Sequence, residues 1–121
     1  MTDKELLEAA ARAAGYTLEL HHDVKGTYWP WCIELDDHWC PLTDDGDALR
    51  LAVKLNLALG NETTSAVGGT SGAALLPLTL VAEHHNGDPY AATRRAIVRA
   101  AAEIGSLHNA EVSGPSTRPP G

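Results

Sequence analysis

Seven side chains with soft or borderline ligand chemistry lie close to the expected strand ends: His21, His22, Cys32, His38, Cys40, His84 and His85. Zinc requires three or four such groups converging on one point. Neighbouring residues of a strand face opposite ways, so His21 and His22 cannot serve one ion together, and neither can His84 and His85. The spacing matches no zinc signature, and the expectation is ordinary histidines and half-buried thiols with no metal and no cofactor.

Nucleophilic catalysis by Cys32 or Cys40 would need a histidine and an orienting carboxylate nearby in space. His38, Asp36 and Asp37 are close to Cys40 in sequence, but productive triads are assembled from separate elements, and no glycine signature of an oxyanion hole accompanies them. The acids Asp36 and Asp37 read as a hairpin turn, and Asp44, Asp45 and Asp47 as a helix start, roles that ask for aspartate on their own. The D-D-G-D spacing lacks the other ligands of a calcium loop. The chain is therefore expected not to be an enzyme.

Anion binding is the next chemistry to weigh. Helix N-termini attract phosphate, but here they carry Asp44, Asp45, Asp47 and Asp88. Arg94, Arg95 and Arg99 remain as candidate anion contacts, with a solvated helix face partly neutralised by Glu103 as the plainer reading. Tyr28, Trp29, Trp31 and Trp39 form the richest aromatic cluster and are the candidate interface. Alternation puts Tyr28 opposite Trp29 and Trp31, so core roles suit those two tryptophans, and Tyr28 and Trp39 are the better interface candidates.

The elements that must position these groups are well punctuated. Thr2 with Glu5 has the spacing of a capping box, Leu6, Leu7, Ala10, Ala13 and Ala14 give an apolar face, and Gly15 suits a left-handed stop. Residues 17–23 and 27–35 alternate as strands around a turn at Lys25 and Gly26, with Trp29, Trp31, Ile33 and Leu35 on one face. Pro30 implies an edge strand or a bulge. A second helix, capped by Thr43 or Asp44 and striped by Ala48, Leu51, Ala52 and Leu55, is predicted to end near Gly60.

Residues 61–74 offer a weak strand and a Gly/Ser-rich tip, and residues 75–84 a better strand, together a hairpin. Asp88 and Pro89 open a third helix whose face of Thr93, Ala96, Ile97, Ala100, Ala101 and Ile104 is small enough for close approach to a sheet. The order αββαββα predicts an α+β fold: a mostly antiparallel sheet of about four strands covered by three helices, a helix/sheet/helix sandwich. One domain over residues 1–105 and a disordered tail over 106–121 are expected.

At 121 residues the chain is long enough for one independent core. Phe is absent, so Leu, Ala, Val, Ile and three tryptophans must build it. Nine basic and sixteen acidic residues give a net charge of -7, and residues 1–60 hold eleven of the acids, which disfavours binding a nucleic-acid backbone. No run reaches the roughly eighteen apolar residues of a membrane span, and the opening MTDKELLEAA is acidic where a secretion signal would be basic then apolar. A cytoplasmic location, with Cys32 and Cys40 as reduced thiols, is the expectation.

Two segments, PLTDDGDALRLAVKL and DPYAATRRAIVRAAAEIG, resemble the phage ABA-sandwich domain family of small proteins from tailed phages and prophages. Cys40 departs from the asparagine that usually precedes the proline there. The resemblance implies a helix-sheet-helix sandwich and a phage accessory role in the host bacterial cytoplasm, with no known reaction. The leading expectation is thus a non-enzymatic protein that binds a host or phage protein, with self-association through the aromatic hairpin as a further expectation. The alternatives are a sponge for a nucleotide-like signal, using the helix-three arginines and stacking on Tyr28 or Trp39, and a Cys/His metal protein or enzyme.

Overall fold

The computed structural model describes residues 2–22, 24–25, 28–61, 64–70 and 80–113; the side chains of residues 20, 22, 28, 70 and 107–113 lie outside the description. The described chain is α+β, with three helices and two antiparallel sheets of three strands. In order the elements are α1 (Asp3–Ala14), β1 (Leu18–His22), β2 (Tyr28–Cys32), β3 (Asp37–His38), α2 (Asp45–Lys54), β4 (Leu57–Asn61), β5 (Ser65–Thr70), β6 (Leu80–His84) and α3 (Pro89–Ser113). Sheet A has the order β1-β2-β3 and sheet B the order β4-β5-β6.

Local signals set most boundaries. Thr2 Oγ1 accepts from the Glu5 amide while Glu5 Oε1 accepts from the Thr2 amide, so the capping box forms, and Gly15 closes α1 at φ 80°. Asp44, not Thr43, caps α2 by accepting from the Asp47 amide at 2.7 Å. Asp88 caps α3 through the Ala91 amide at 3.0 Å, with Pro89 at the first helical position.

Several expectations give way. The single sheet of about four strands is replaced by two sheets, because β3 and β4 are additional strands. Residues 33–36 make the turn after β2, and Asp37 and His38 then pair with Cys32 and Trp31. Helix α2 stops at Lys54, well short of Gly60, because Asn56 enters the left-handed region at φ 55° and turns the chain into β4. The second hairpin pairs antiparallel between β5 and β6; residues 71–74 of the expected Gly/Ser-rich tip and residues 75–79 of the strand expected over 75–84 lie outside the described residues.

Another concerns the C-terminal boundary. Helix α3 runs through Ser113, so residues 106–113 are helical where a disordered tail was expected; residues 114–121 lie outside the described residues. Gly105 is not a terminator. It sits where α3 crosses α1, and a Cβ there would stand 1.8 Å from the Ala9 carbonyl oxygen.

Pro30 makes neither a bulge nor an edge, since the β1-β2 register runs unbroken from Leu18 opposite Cys32 to His22 opposite Tyr28. Its carbonyl accepts from the Trp39 amide at 3.1 Å, so the missing N–H faces the β3 side, where the two-residue strand has already ended. No donor is lost from the ladder with β1.

The core sits on α3. One cluster joins Leu6, Leu7 and Ala10 of α1, Cys32 of β2, Trp39 just after β3, Ala48, Leu51 and Ala52 of α2, and Ile97, Val98, Ala101 and Ala102 of α3. A second joins Ala66 and Val81 of sheet B to Ala92, Ala96 and Ala100 on another face of α3. Small residues make this close approach feasible: a Cβ on Gly68 would already lie 3.1 Å from the Ala96 carbonyl oxygen. Burying α3 on both faces removes the one-sided apolar stripe expected of a cover helix. Among the described residues, no helix is long and apolar enough to cross a membrane.

Candidate functional site

The aromatic hairpin is built as a two-faced ribbon. Alternation along β1 and β2 sends Leu18, Pro30 and Cys32 toward the core and Glu19, His21, Trp29 and Trp31 to the opposite, outer face. A latch fixes the hairpin's inner end: Glu34 accepts from the Thr17 amide at 2.7 Å and from the Thr17 hydroxyl at 2.9 Å. These hydrogen bonds, the one from the Thr17 amide first, hold the Glu34 carboxyl below its usual range.

On the outer face, register brings four rings together. His21 lies directly opposite Trp29 and His38 directly opposite Trp31. The diagonals also touch, as cross-strand geometry allows. His21 stacks on Trp31 with centroids 5.6 Å apart and planes within 9°, and meets Trp29 at 6.1 Å. His38 stands edge-on to Trp31 at 5.3 Å and to Trp29 at 5.9 Å. Each tryptophan thus touches both imidazoles; His21, Trp29 and Trp31 are half-buried and His38 is exposed, with Glu19 3.5 Å from His21 at the margin. The Trp29 indole Nε1 is buried with no hydrogen-bond partner among the described residues.

The expected assignment of the tryptophans is reversed. Trp39 is only 2% exposed, meets Tyr16 edge-to-face at 5.7 Å and belongs to the core, so it offers no interface. Trp29 and Trp31 take the outer face instead, and Ile33 and Leu35, expected beside them, lie in the exposed turn beyond β2. The Tyr28 side chain lies outside the description, although its backbone opens β2. The reversal follows from which face of sheet A the helices cover: Cys32, not Trp31, packs against them.

The three arginines are all engaged. Arg94 donates to the Leu42 carbonyl at 2.9 Å and to Asp45 at 2.6 Å, clamping α3 to the start of α2. Arg95 pairs with Asp3 at 3.0 Å, tying α3 to α1, and Arg99 pairs with Glu83 and the Ala82 carbonyl of β6. A cleft of about 410 Å³ runs between Leu6, Glu83, Arg95, Arg99 and Glu103, but its guanidinium groups already face carboxylates. Salt bridges between elements, invisible in a helix-only reading, explain these residues without an anion.

The thiols and imidazoles do not converge. Both cysteines are free. Cys32 is buried in the core, which pushes its thiol pKa up, while His21 and His38 occupy the other face of the same sheet. The Cys40 amide donates to Asp47 at 2.9 Å, so that acid braces the turn ahead of α2. Among the described residues no three His, Cys, Asp or Glu side chains are grouped to hold a metal ion.

One surface escaped the sequence reading. Leu49 and Val53 of α2 are 58% and 72% exposed and lie beside Leu59 of β4, forming an apolar groove. A signal was present: Leu49 and Val53 are four residues apart on α2, beside Ala52 at the margin of the buried stripe.

No protein-family model, no curated protein and no solved structure matches the chain.

Proposed function

We propose that this chain is a small non-enzymatic accessory protein, of the kind encoded by tailed phages and prophages, that works in the bacterial cytoplasm by binding a host or phage protein. The observation that carries the reading is the square of Trp29, Trp31, His21 and His38 on the outer face of sheet A. Large rigid aromatic groups with a polar edge dominate binding energy at protein interfaces and lose little side-chain entropy on contact. The imidazoles add hydrogen-bonding capacity at the rim of an apolar patch.

The nucleotide-sponge alternative draws little support, because Arg94, Arg95 and Arg99 are paired within the fold and Trp39 is buried. The metal or thiol alternative is weakened because Cys32 points from sheet A into the core while His21 and His38 stand on the sheet's other face. Affinity capture from bacterial lysate with the wild-type chain and a Trp29→Ala/Trp31→Ala variant tests the proposal. A protein retained by the wild type and lost by the folded variant supports it; recovery of nothing above background, or equal recovery by both, counts against it.

A further inference from the structure

Edge strands expose unpaired N–H and C=O groups, and proteins protect them with charge, proline, bulges or brevity. Three of the four sheet edges follow that rule. β1 carries Glu19, β3 is two residues long with Asp37 and His38, and β6 carries Glu83. The fourth, β4, reads Leu57-Ala58-Leu59-Gly60-Asn61 and has no charge and no proline, although among the described residues it pairs only with β5. Four of its five residues are exposed.

The space beside that edge has a second wall. Helix α2 ends at Lys54 and β4 begins at Leu57, so helix and strand diverge from Asn56 with a groove of about 320 Å³ between them. Its lining, Leu49, Ala52, Val53, Asn56, Leu57 and Leu59, contains no charged group in a chain of net charge -7. Leu49 and Leu59 continue it into a further hollow of about 250 Å³ beside Tyr90, Thr93 and Ile97, where the charged pair Asp45 and Arg94 closes the far side. Ten helical residues rise about 15 Å and five strand residues reach a similar length of roughly 16 Å, so the two walls match.

We infer that the groove between α2 and β4 is a strand-addition site for an extended, uncharged segment of a partner protein with apolar side chains at alternate positions. The backbone of that segment would pair with β4 and extend sheet B. Its alternate side chains would meet Leu49 and Val53 above and Leu57 and Leu59 beside them. A second copy of the chain fits less well. α3 covers β5 and β6, and both α2 and α3 touch β4, so twofold pairing of β4 with β4 would bring a copy of α2 beside each of two adjacent strands. Packed helices need about 8–10 Å between axes, whereas paired strands lie about 4.8 Å apart. A single added strand has no helix to place there. This inference is independent of sheet A, on which the proposed function rests.

The probe is a displayed library of random peptides about ten residues long, panned on the full chain, followed by calorimetric titration of an enriched synthetic peptide. Enriched sequences are expected to alternate Val, Ile, Leu or Thr, and binding is expected to weaken about tenfold or more in Leu59→Lys and in Val53→Glu. Leu59 is 42% and Val53 72% exposed, so the variants should fold, which circular dichroism checks. Trp31→Ala should bind the peptide unchanged, and amide exchange at residues 57–61 should slow when it binds. Failure to enrich any peptide over the variants, or exchange unchanged at 57–61, overturns the inference. So does a wild-type dimer in sedimentation that Leu59→Lys converts to monomer, since the occupant would then be a second copy.

Discussion

At the scale of single residues, composition identifies which groups are unusual, but burial decides what each one does. Trp39 and Trp31 are the same residue type eight positions apart, yet one fills the core and the other stacks on an imidazole at the surface. Trp39→Ala is therefore expected to cost about 3–5 kcal/mol, and Trp31→Ala a smaller amount, about 1–2 kcal/mol in proportion to its partial burial. Chemical denaturation with both variants measures the difference, and equal losses would contradict the assignment. Cys32 gives a second residue-scale prediction. Because burial both hides its thiol and raises its pKa, iodoacetamide at about pH 8 should leave Cys32 unmodified in the native chain and label it after denaturation. Peptide mapping reads the outcome.

At the scale of elements, starts were legible and stops were not. Caps are local: Thr2, Asp44 and Asp88 each satisfy an amide within three residues, so their sequence spacing carries the whole signal. The end of α2 depends on one left-handed residue, Asn56, in a run whose apolar spacing continues smoothly into β4. Asn56→Val should destabilise the chain by about 1–2 kcal/mol because a β-branched residue resists that conformation, whereas Asn56→Gly should lose less. Gly105 looks like a stop and acts as a contact. Its Ala variant would drive a Cβ into the Ala9 carbonyl, and separating α1 from α3 should cost about 3 kcal/mol or more. A melting temperature close to wild type for Gly105→Ala would disprove that crossing.

At the scale of the whole molecule, charge is organised as ties between elements. Arg94, Arg95 and Arg99 join α3 to α2, α1 and β6 through acids that the sequence spreads over eighty residues and more. Acid dependence follows from two other carboxylates. Glu34 is held down by hydrogen bonds from Thr17, and Glu5 by hydrogen bonds from the Thr2 amide and then from its side chain. A carboxylate with a lowered folded pKa adds stability above the ordinary glutamate value of about 4.3 and loses it as pH falls through the folded value. Melting temperature should therefore decline on acidification below about pH 4.5, and Glu34→Gln should flatten part of that decline. An unchanged slope in Glu34→Gln would remove the latch from the account of acid sensitivity.

What the sequence by itself determined was the α+β class, three helix starts, the aromatic hairpin and the antiparallel pairing of β5 with β6, all features governed by neighbours a few residues apart. The split into two sheets, the double-sided burial of α3 and the outward turn of Trp29 and Trp31 were decided only in three dimensions. Alternation states that two faces of a strand differ, and it assigns neither to the core. That choice belongs to the helices that α1-α3 crossing at Gly105 brings against Cys32 and Trp39, an approach that depends on the absence of a single Cβ.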